Sequence, residues 1–175
     1  SDPNAATVTW NPPLQQVRNA KGATMVFDSS KIPGESMDLM VVKTKAPESL
    51  KKALVGAWYE AMKVMSGKDK AANDSIEYMA KFSAATVPEF KAQLATTSMF
   101  YGAAEAAAFP AGPEAKKTME QIRTFTFAKG LFGKGAKSKD FVGIQFPDGT
   151  VLGDPKNVKL RFDATYMKMA AEGKL

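Results

Sequence analysis

Candidate strands are concentrated near the start of this chain, and helical patterns dominate the rest. Residues 6–10, 23–27 and 37–43 ("ATVTW", "ATMVF" and "MDLMVVK") are rich in β-branched, apolar and aromatic side chains, which is typical of strands. A last candidate strand covers residues 158–162. In a complete α/β domain the helices cover the faces of the sheet, and so few strands give four or more helices too little sheet to cover. The sequence therefore predicts an α/β chain that is part of a larger protein.

The longest helical pattern covers residues 47–65, between Pro47 and the stop signal Gly67. Its apolar residues recur at helical spacing, so this stripe is predicted to face a core. Trp58 is accordingly predicted to be a core side chain. The stripe consists of Leu50, Leu54, Ala57, Trp58, Ala61, Met62 and Met65.

Further helices follow from capping signals and periodicity. Thr86 and Glu89 have the spacing of a capping box, which predicts a helix over about 87–96. Residues 133–157, rich in Gly, Lys, Asp and Pro, are predicted to be irregular. The other predicted helices are a short one in 14–20, one over 69–83, a helical turn within 98–109, one over 113–129 and a terminal one in 164–173.

The 175-residue composition limits the chemistry of the chain. It contains no cysteine and no histidine. This excludes a catalytic cysteine nucleophile and a Ser-His-Asp triad within the chain. The acids of its loops show no metal-binding spacing, so we predict solvated carboxylates, no metal and no cofactor. These acids are Asp28, Glu35, Asp38, Asp140, Asp148 and Asp154.

The formal net charge is +6, but the lysines are scattered, which favours solvated surfaces over a nucleic-acid site. The densest stretch, residues 129–140 ("KGLFGKGAKSKD"), resembles a phosphate loop only superficially. Its Gly-Lys pair has no Ser or Thr after it, and a helix rather than a strand precedes it. We therefore predict that it binds no nucleotide.

One segment, "VTWNPPLQQV" at residues 8–17, combines features of a ligand site. Trp10 offers a flat apolar face, Asn11 offers donors and an acceptor, and Pro12 and Pro13 fix the backbone. A helix that starts here would point free N–H groups at an anionic or carbonyl ligand. The alternative is a core tryptophan followed by a simple turn, and the residues alone leave both interpretations open.

Four stretches resemble the solute-binding proteins of ABC importers of the nitrate, sulfonate and taurine type. They are residues 5–42, 46–62, 123–133 and 153–175. The characteristic features are a strand running into Trp-x-Pro, an Asp-Ser-Ser turn, and Pro-Gly before an apolar strand. The closing stretch resembles the subgroup associated with urea genes. The resemblance covers nearly the whole chain, but only about the second half of such a protein.

The resemblance implies a partial two-lobed periplasmic-binding-protein type II fold. Residues 1–36 would end the second lobe, and residues 37–175 would form the helical C-terminal part of the first lobe and the tail. The ligand cleft would be lined by Trp10, Asn11, Pro12, Glu35 and Ser36. Many relatives carry an acid where this chain has Asn11, so a neutral amide-like ligand fits the pattern.

The function implied is that of a periplasmic receptor rather than an enzyme. It would bind a small polar solute, such as urea or a related amide, a sulfonate or nitrate, and present it to an inner-membrane ABC permease. The N-terminal half of the same protein would be a further partner. Two alternatives remain: an enzyme on the same scaffold, similar to pyrimidine-precursor synthases, or a basic surface-binding module with steep salt dependence.

Overall fold

The computed structural model describes residues 5–175, which form a mixed α/β protein. Seven α-helices and three short strands lie within these residues. Single turns of 3₁₀-helix occur at Ser29–Lys31 and Phe109–Ala111. The helices are α1 Pro13–Asn19, α2 Glu48–Met65, α3 Lys70–Phe82, α4 Val87–Ala95, α5 Ala103–Ala108, α6 Pro113–Ala128 and α7 Thr165–Ala171, and the strands are β1 Gly143–Gln145, β2 Val151–Leu152 and β3 Val158–Arg161.

The chain divides into two compact units, which are described separately. The first contains the residues up to Asp28 and Lys63–Met99, and the second contains Ser29–Met62 and Phe100–Leu175. The division predicted after residue 36 lies inside the second unit. The assignment of either part to a lobe stays a prediction.

The first unit is built around α3 and α4, whose ends follow from side-chain caps. The Asp69 carboxylate accepts a hydrogen bond from the Ala72 N–H at 2.9 Å and starts α3. Thr86 and Glu89 form both halves of the predicted capping box at the start of α4. Ala72, Ile76 and Ala80 are buried along one face of α3, as their helical spacing predicts.

The second unit holds the sheet and its core. The strand order is β2-β1-β3, with β1 antiparallel to β2 and parallel to β3. Phe146, only 2% exposed, packs with Ala115 and Met119 of α6. Its ring also stacks on Phe162, with the ring centroids 5.5 Å apart. This cluster joins α6 to the end of the sheet.

A buried arginine fastens the loop before β1 to α6. Arg123, 8% exposed, donates from Nε to Glu120 at 2.5 Å and from Nη1 to Asp140 at 2.6 Å. Lys139 forms a further ion pair with Glu120. Hydrogen bonds from Lys139, and then from Arg123, hold the pKa of Glu120 below its usual value. The two loop residues are thereby held against the helix.

The prediction of three strands near the start of the chain is wrong. Residues 6–10, 23–27 and 37–43 contain no helix, turn or β-ladder. A strand needs a neighbour to pair with, and the ladders in the described residues join only β1, β2 and β3. The predicted strand at 158–162 is confirmed by β3.

The prediction of an irregular 133–157 segment is wrong in part, because it contains β1 and β2. They are joined by a turn in which the Phe146 N–H donates to the Thr150 carbonyl at 2.9 Å. Asp148 Oδ1 accepts from the Thr150 N–H at 3.1 Å. Asp148 and Gly149, the latter with φ of 83°, are the turn signal that favours a hairpin here.

The burial predicted for the apolar stripe of α2 is also wrong. Leu50, Leu54 and Trp58 are exposed, with Trp58 at 48%, whereas Met62 is buried. The periodicity correctly gives the apolar face of the helix. Most of that face is left uncovered by the described residues.

Candidate ligand-binding site

The candidate site begins at Trp10, in the residues just before α1. Its side chain is 77% exposed, so the alternative of a core tryptophan does not hold for the described chain. The Trp10 carbonyl accepts a hydrogen bond from the Leu14 N–H at 2.9 Å. This bond ties the backbone of Trp10 to the first turn of α1, while the indole stays free to contact a planar or methylene-rich ligand.

Asn11, the residue after Trp10, carries an unused acceptor. Its Oδ1 is buried and has no hydrogen-bond partner among the described residues. Buried polar atoms are normally paired, because an unpaired one loses its hydrogen bonds to water without compensation. A ligand that donates an N–H or O–H would supply the missing hydrogen bond.

The start of α1 does not provide the free N–H groups that the sequence predicts. Pro12 and Pro13 have no N–H, the Leu14 N–H is used as described, and the Gln15 N–H donates to the Pro12 carbonyl at 3.1 Å. An anion would therefore find no backbone donor among these four residues. The unpaired polar group that remains near α1 is the buried acceptor Asn11 Oδ1, which a donor ligand would reach only if the side chain turned outward.

Glu35 and Ser36 belong to the second unit, where both side chains are exposed. Their turn includes Gly34, whose φ of 81° favours glycine. A Cβ built on Gly34 would lie 3.6 Å from Phe109 and 3.7 Å from Thr118. The turn therefore lies near Phe109 and Thr118, at ordinary van der Waals distance for an added Cβ. Trp10, Asn11 and Pro12 are placed by the first unit, and Glu35 and Ser36 by the second.

Sequence reasoning missed a shallow cavity of about 310 Å³ in the second unit. It lies between the end of the sheet and α7, and two cations, Arg161 and Lys168, contribute to its wall. Both are exposed, and the acid Asp163 lines the same cavity. No sequence signal relates these residues, because only the packing of α7 brings them to one wall.

Several loop acids have structural partners. Asp148 pairs with Lys116 at 2.5 Å, Asp140 with Arg123, and Asp154 Oδ1 accepts from the Lys156 N–H at 2.8 Å. Within residues 5–175, no group of three or more acids is placed to hold a metal ion.

Comparison with protein-family models, curated proteins and solved structures finds no match for this chain. No helix in the described part is long and apolar enough to cross a membrane.

Proposed function

We propose that this chain is the C-terminal part of a solute receptor for an ABC importer of the nitrate, sulfonate and taurine type. In this proposal it has part of a two-lobed periplasmic-binding-protein type II fold and works in the periplasm with an inner-membrane permease. It performs no covalent chemistry. The observation that carries the proposal is that two successive residues have an exposed indole, Trp10, and a buried, unpaired oxygen, Asn11 Oδ1.

The same observation favours one ligand class among those implied by the resemblance. Nitrate and the sulfonate group present only acceptors to Asn11 Oδ1, whereas urea and related amides present N–H donors on the planar group itself. A planar amide also stacks on an indole face. The missing free N–H groups at α1 remove the feature that would attract an anion. We therefore propose urea or a small related amide as the ligand.

The test is a titration of the full-length gene product with urea, N-methylurea and acetamide, and separately with nitrate and taurine. The variant Trp58→Phe leaves Trp10 as the one tryptophan of this chain, and Trp10→Phe controls for tryptophans elsewhere in the gene product. Saturable fluorescence changes with the amides, absent in Trp10→Phe, are expected. Asn11→Leu and Trp10→Ala should each weaken binding by roughly 10- to 100-fold, as for a lost buried hydrogen bond or a lost stacking platform.

Matched variants at Trp58 separate binding from general damage. Trp58→Phe should leave the amide affinity within about twofold, which is below the effect of one hydrogen bond. Saturation by nitrate or taurine with no response to amides would overturn the ligand class. The absence of saturable binding for all five solutes would contradict the receptor proposal itself.

A further inference from the structure

The shallow cavity between the sheet and α7 lies where two parallel strands end. β1 and β3 run in the same direction, and residues that directly follow each of them line the cavity: Phe146 and Pro147 after β1, and Phe162, Asp163 and Ala164 after β3. Ligands of open α/β sheets bind in this position, outside the carboxyl ends of the strands. The volume of about 310 Å³ is that of a small-molecule site.

The strand ends that form the cavity are held in place by the core. The Phe162 N–H donates to the Gln145 carbonyl at 2.9 Å, which joins the two strand ends. The rings of Phe146 and Phe162 stack on each other, and Phe146 packs on α6. Phe162 and Pro147, both half-buried, give the cavity an apolar side. A ligand that binds to such fixed elements needs little ordering of the protein.

Two cations without an ion pair give the cavity its charge. Arg161 and Lys168 are exposed, and neither forms a salt bridge with any of the described residues. Arg161 Nη1 has a long contact of 3.5 Å with the Val158 carbonyl. In the β1–β3 register Arg161 lies opposite Gln145, so both side chains are on one face of the sheet. Two cations and an amide donor thus line the same cavity.

The acid in the same wall limits the charge that a ligand can bring. Asp163 Oδ1 accepts a hydrogen bond from the Thr165 N–H at 2.9 Å, so this oxygen is engaged by the backbone at the start of α7. Two cations and one carboxylate leave the lining with one net positive charge. A singly charged ligand balances it, whereas a phosphate monoester carries roughly two negative charges at neutral pH.

We propose that this cavity binds a small organic carboxylate with a planar or apolar body. The Arg161 guanidinium presents N–H groups in the fork that matches a carboxylate. Lys168 adds a second positive charge, and Phe162 and Pro147 contact the body of the ligand. All the lining residues belong to the second unit. The cavity shares no residue with the proposed amide site, and the inference does not depend on that proposal.

The test is a fluorine NMR titration of the complete gene product with para-fluorobenzoate, which carries one carboxylate on a planar ring. Saturable line broadening is expected. The neutral para-fluorobenzamide should bind at least about tenfold more weakly, because it cannot form charge-assisted hydrogen bonds with the two cations. Urea in excess should not displace para-fluorobenzoate, since the two ligands occupy different residues.

Single substitutions then locate the carboxylate. Arg161→Gln and Lys168→Gln should each weaken binding of para-fluorobenzoate by roughly 3- to 10-fold, the effect of one charged contact at an exposed position. Asp163→Asn keeps an oxygen for the Thr165 N–H and removes the opposing charge, so it should tighten binding by about 2- to 5-fold. The matched control is Lys156→Gln, which removes a cation before β3 rather than after it. It should leave the affinity within about twofold, because solvent and salt screen the distant charge.

The fold does not rest on Arg161 or Lys168, which are exposed and without ion pairs, so thermal unfolding of these variants should match wild type. Saturable binding that is weakened at these two positions, kept in Lys156→Gln and tightened in Asp163→Asn supports the proposal. The absence of saturable binding, equal binding of the benzamide, an equal loss in Lys156→Gln, or displacement by urea would each overturn it. Whether urea itself binds is read from the tryptophan titration, so the two proposals can fail separately.

Discussion

Arg123 Nη1 lies 2.6 Å from Asp140 Oδ1, joining the third turn of α6 to a loop residue 17 positions later. Burial by itself lowers the pKa of Arg123, but its hydrogen bonds to Asp140 and Glu120 outweigh that effect and raise it. The guanidinium therefore stays charged, and it also donates to the Lys139 carbonyl at 3.3 Å. One side chain thus fixes two consecutive loop residues.

Replacing Arg123 by Lys should lower the free energy of unfolding by about 1–3 kcal/mol, because one ammonium cannot reach all three acceptors and leaves buried polar groups unpaired. Unfolding in guanidinium chloride measures this change in free energy. The control is Lys117→Ala on the same helix, which removes an exposed pair with Glu114 at 3.9 Å and should cost less than about 0.5 kcal/mol. Equal losses in the two variants would refute the role of Arg123.

Phe146→Ala should destabilise the protein by about 3–5 kcal/mol, the usual cost of truncating a core aromatic. Phe146 is 2% exposed, whereas Phe82 on α3 is 84% exposed. Phe82→Ala should therefore change the free energy of unfolding by less than about 1 kcal/mol. Thermal unfolding of both variants is the measurement, and a small effect at Phe146 would contradict the core assigned here.

Gly143→Ala should destabilise the sheet, because a Cβ at this position would overlap the Asp154 carbonyl oxygen and lie 3.0 Å from Val158. Displacing that backbone should cost about 1–3 kcal/mol. Gly135→Ala is the matched control, since a Cβ there meets nothing within 4 Å. It should be neutral or stabilising by about 0.5 kcal/mol through the unfolded state. Denaturant unfolding measures the change in the free energy of unfolding for both variants. Equal changes would contradict the close contacts of Gly143 with Asp154 and Val158.

The Asp148 carboxylate should titrate at unusually low pH. Its hydrogen bond from Lys116, and then those from Thr150, lower its pKa from 3.8 to about 2. A lowered pKa in the folded state stabilises the protein above pH 3.8, and this contribution disappears as the pH falls through about 2. NMR titration should show a higher pKa for this carboxyl in Lys116→Met, which removes the ammonium but keeps an unbranched side chain near the Phe146 ring. An unchanged pKa in that variant would exclude the ion pair as the cause.

The sequence by itself determined the helices whose ends are set by local chemistry. α3 and α4 begin at Asp69 and Thr86, where a side chain caps the backbone within three residues, and α6 begins at Pro113 as predicted. These signals need no distant partner. The exposure of Trp10 was left open by the residues and is given by the structure, and its part in a ligand site stays a proposal.

The tertiary structure decided everything that depends on what covers a residue. Periodicity gave the apolar face of α2 correctly, but the burial of Leu50, Leu54 and Trp58 required a neighbour that the described chain does not provide. Residues 37–43 are strand-like in composition, yet a strand exists only when another backbone pairs with it. The buried oxygen of Asn11 and the convergence of Arg123 with Asp140 are likewise invisible in sequence, because both arise from distances in space rather than along the chain.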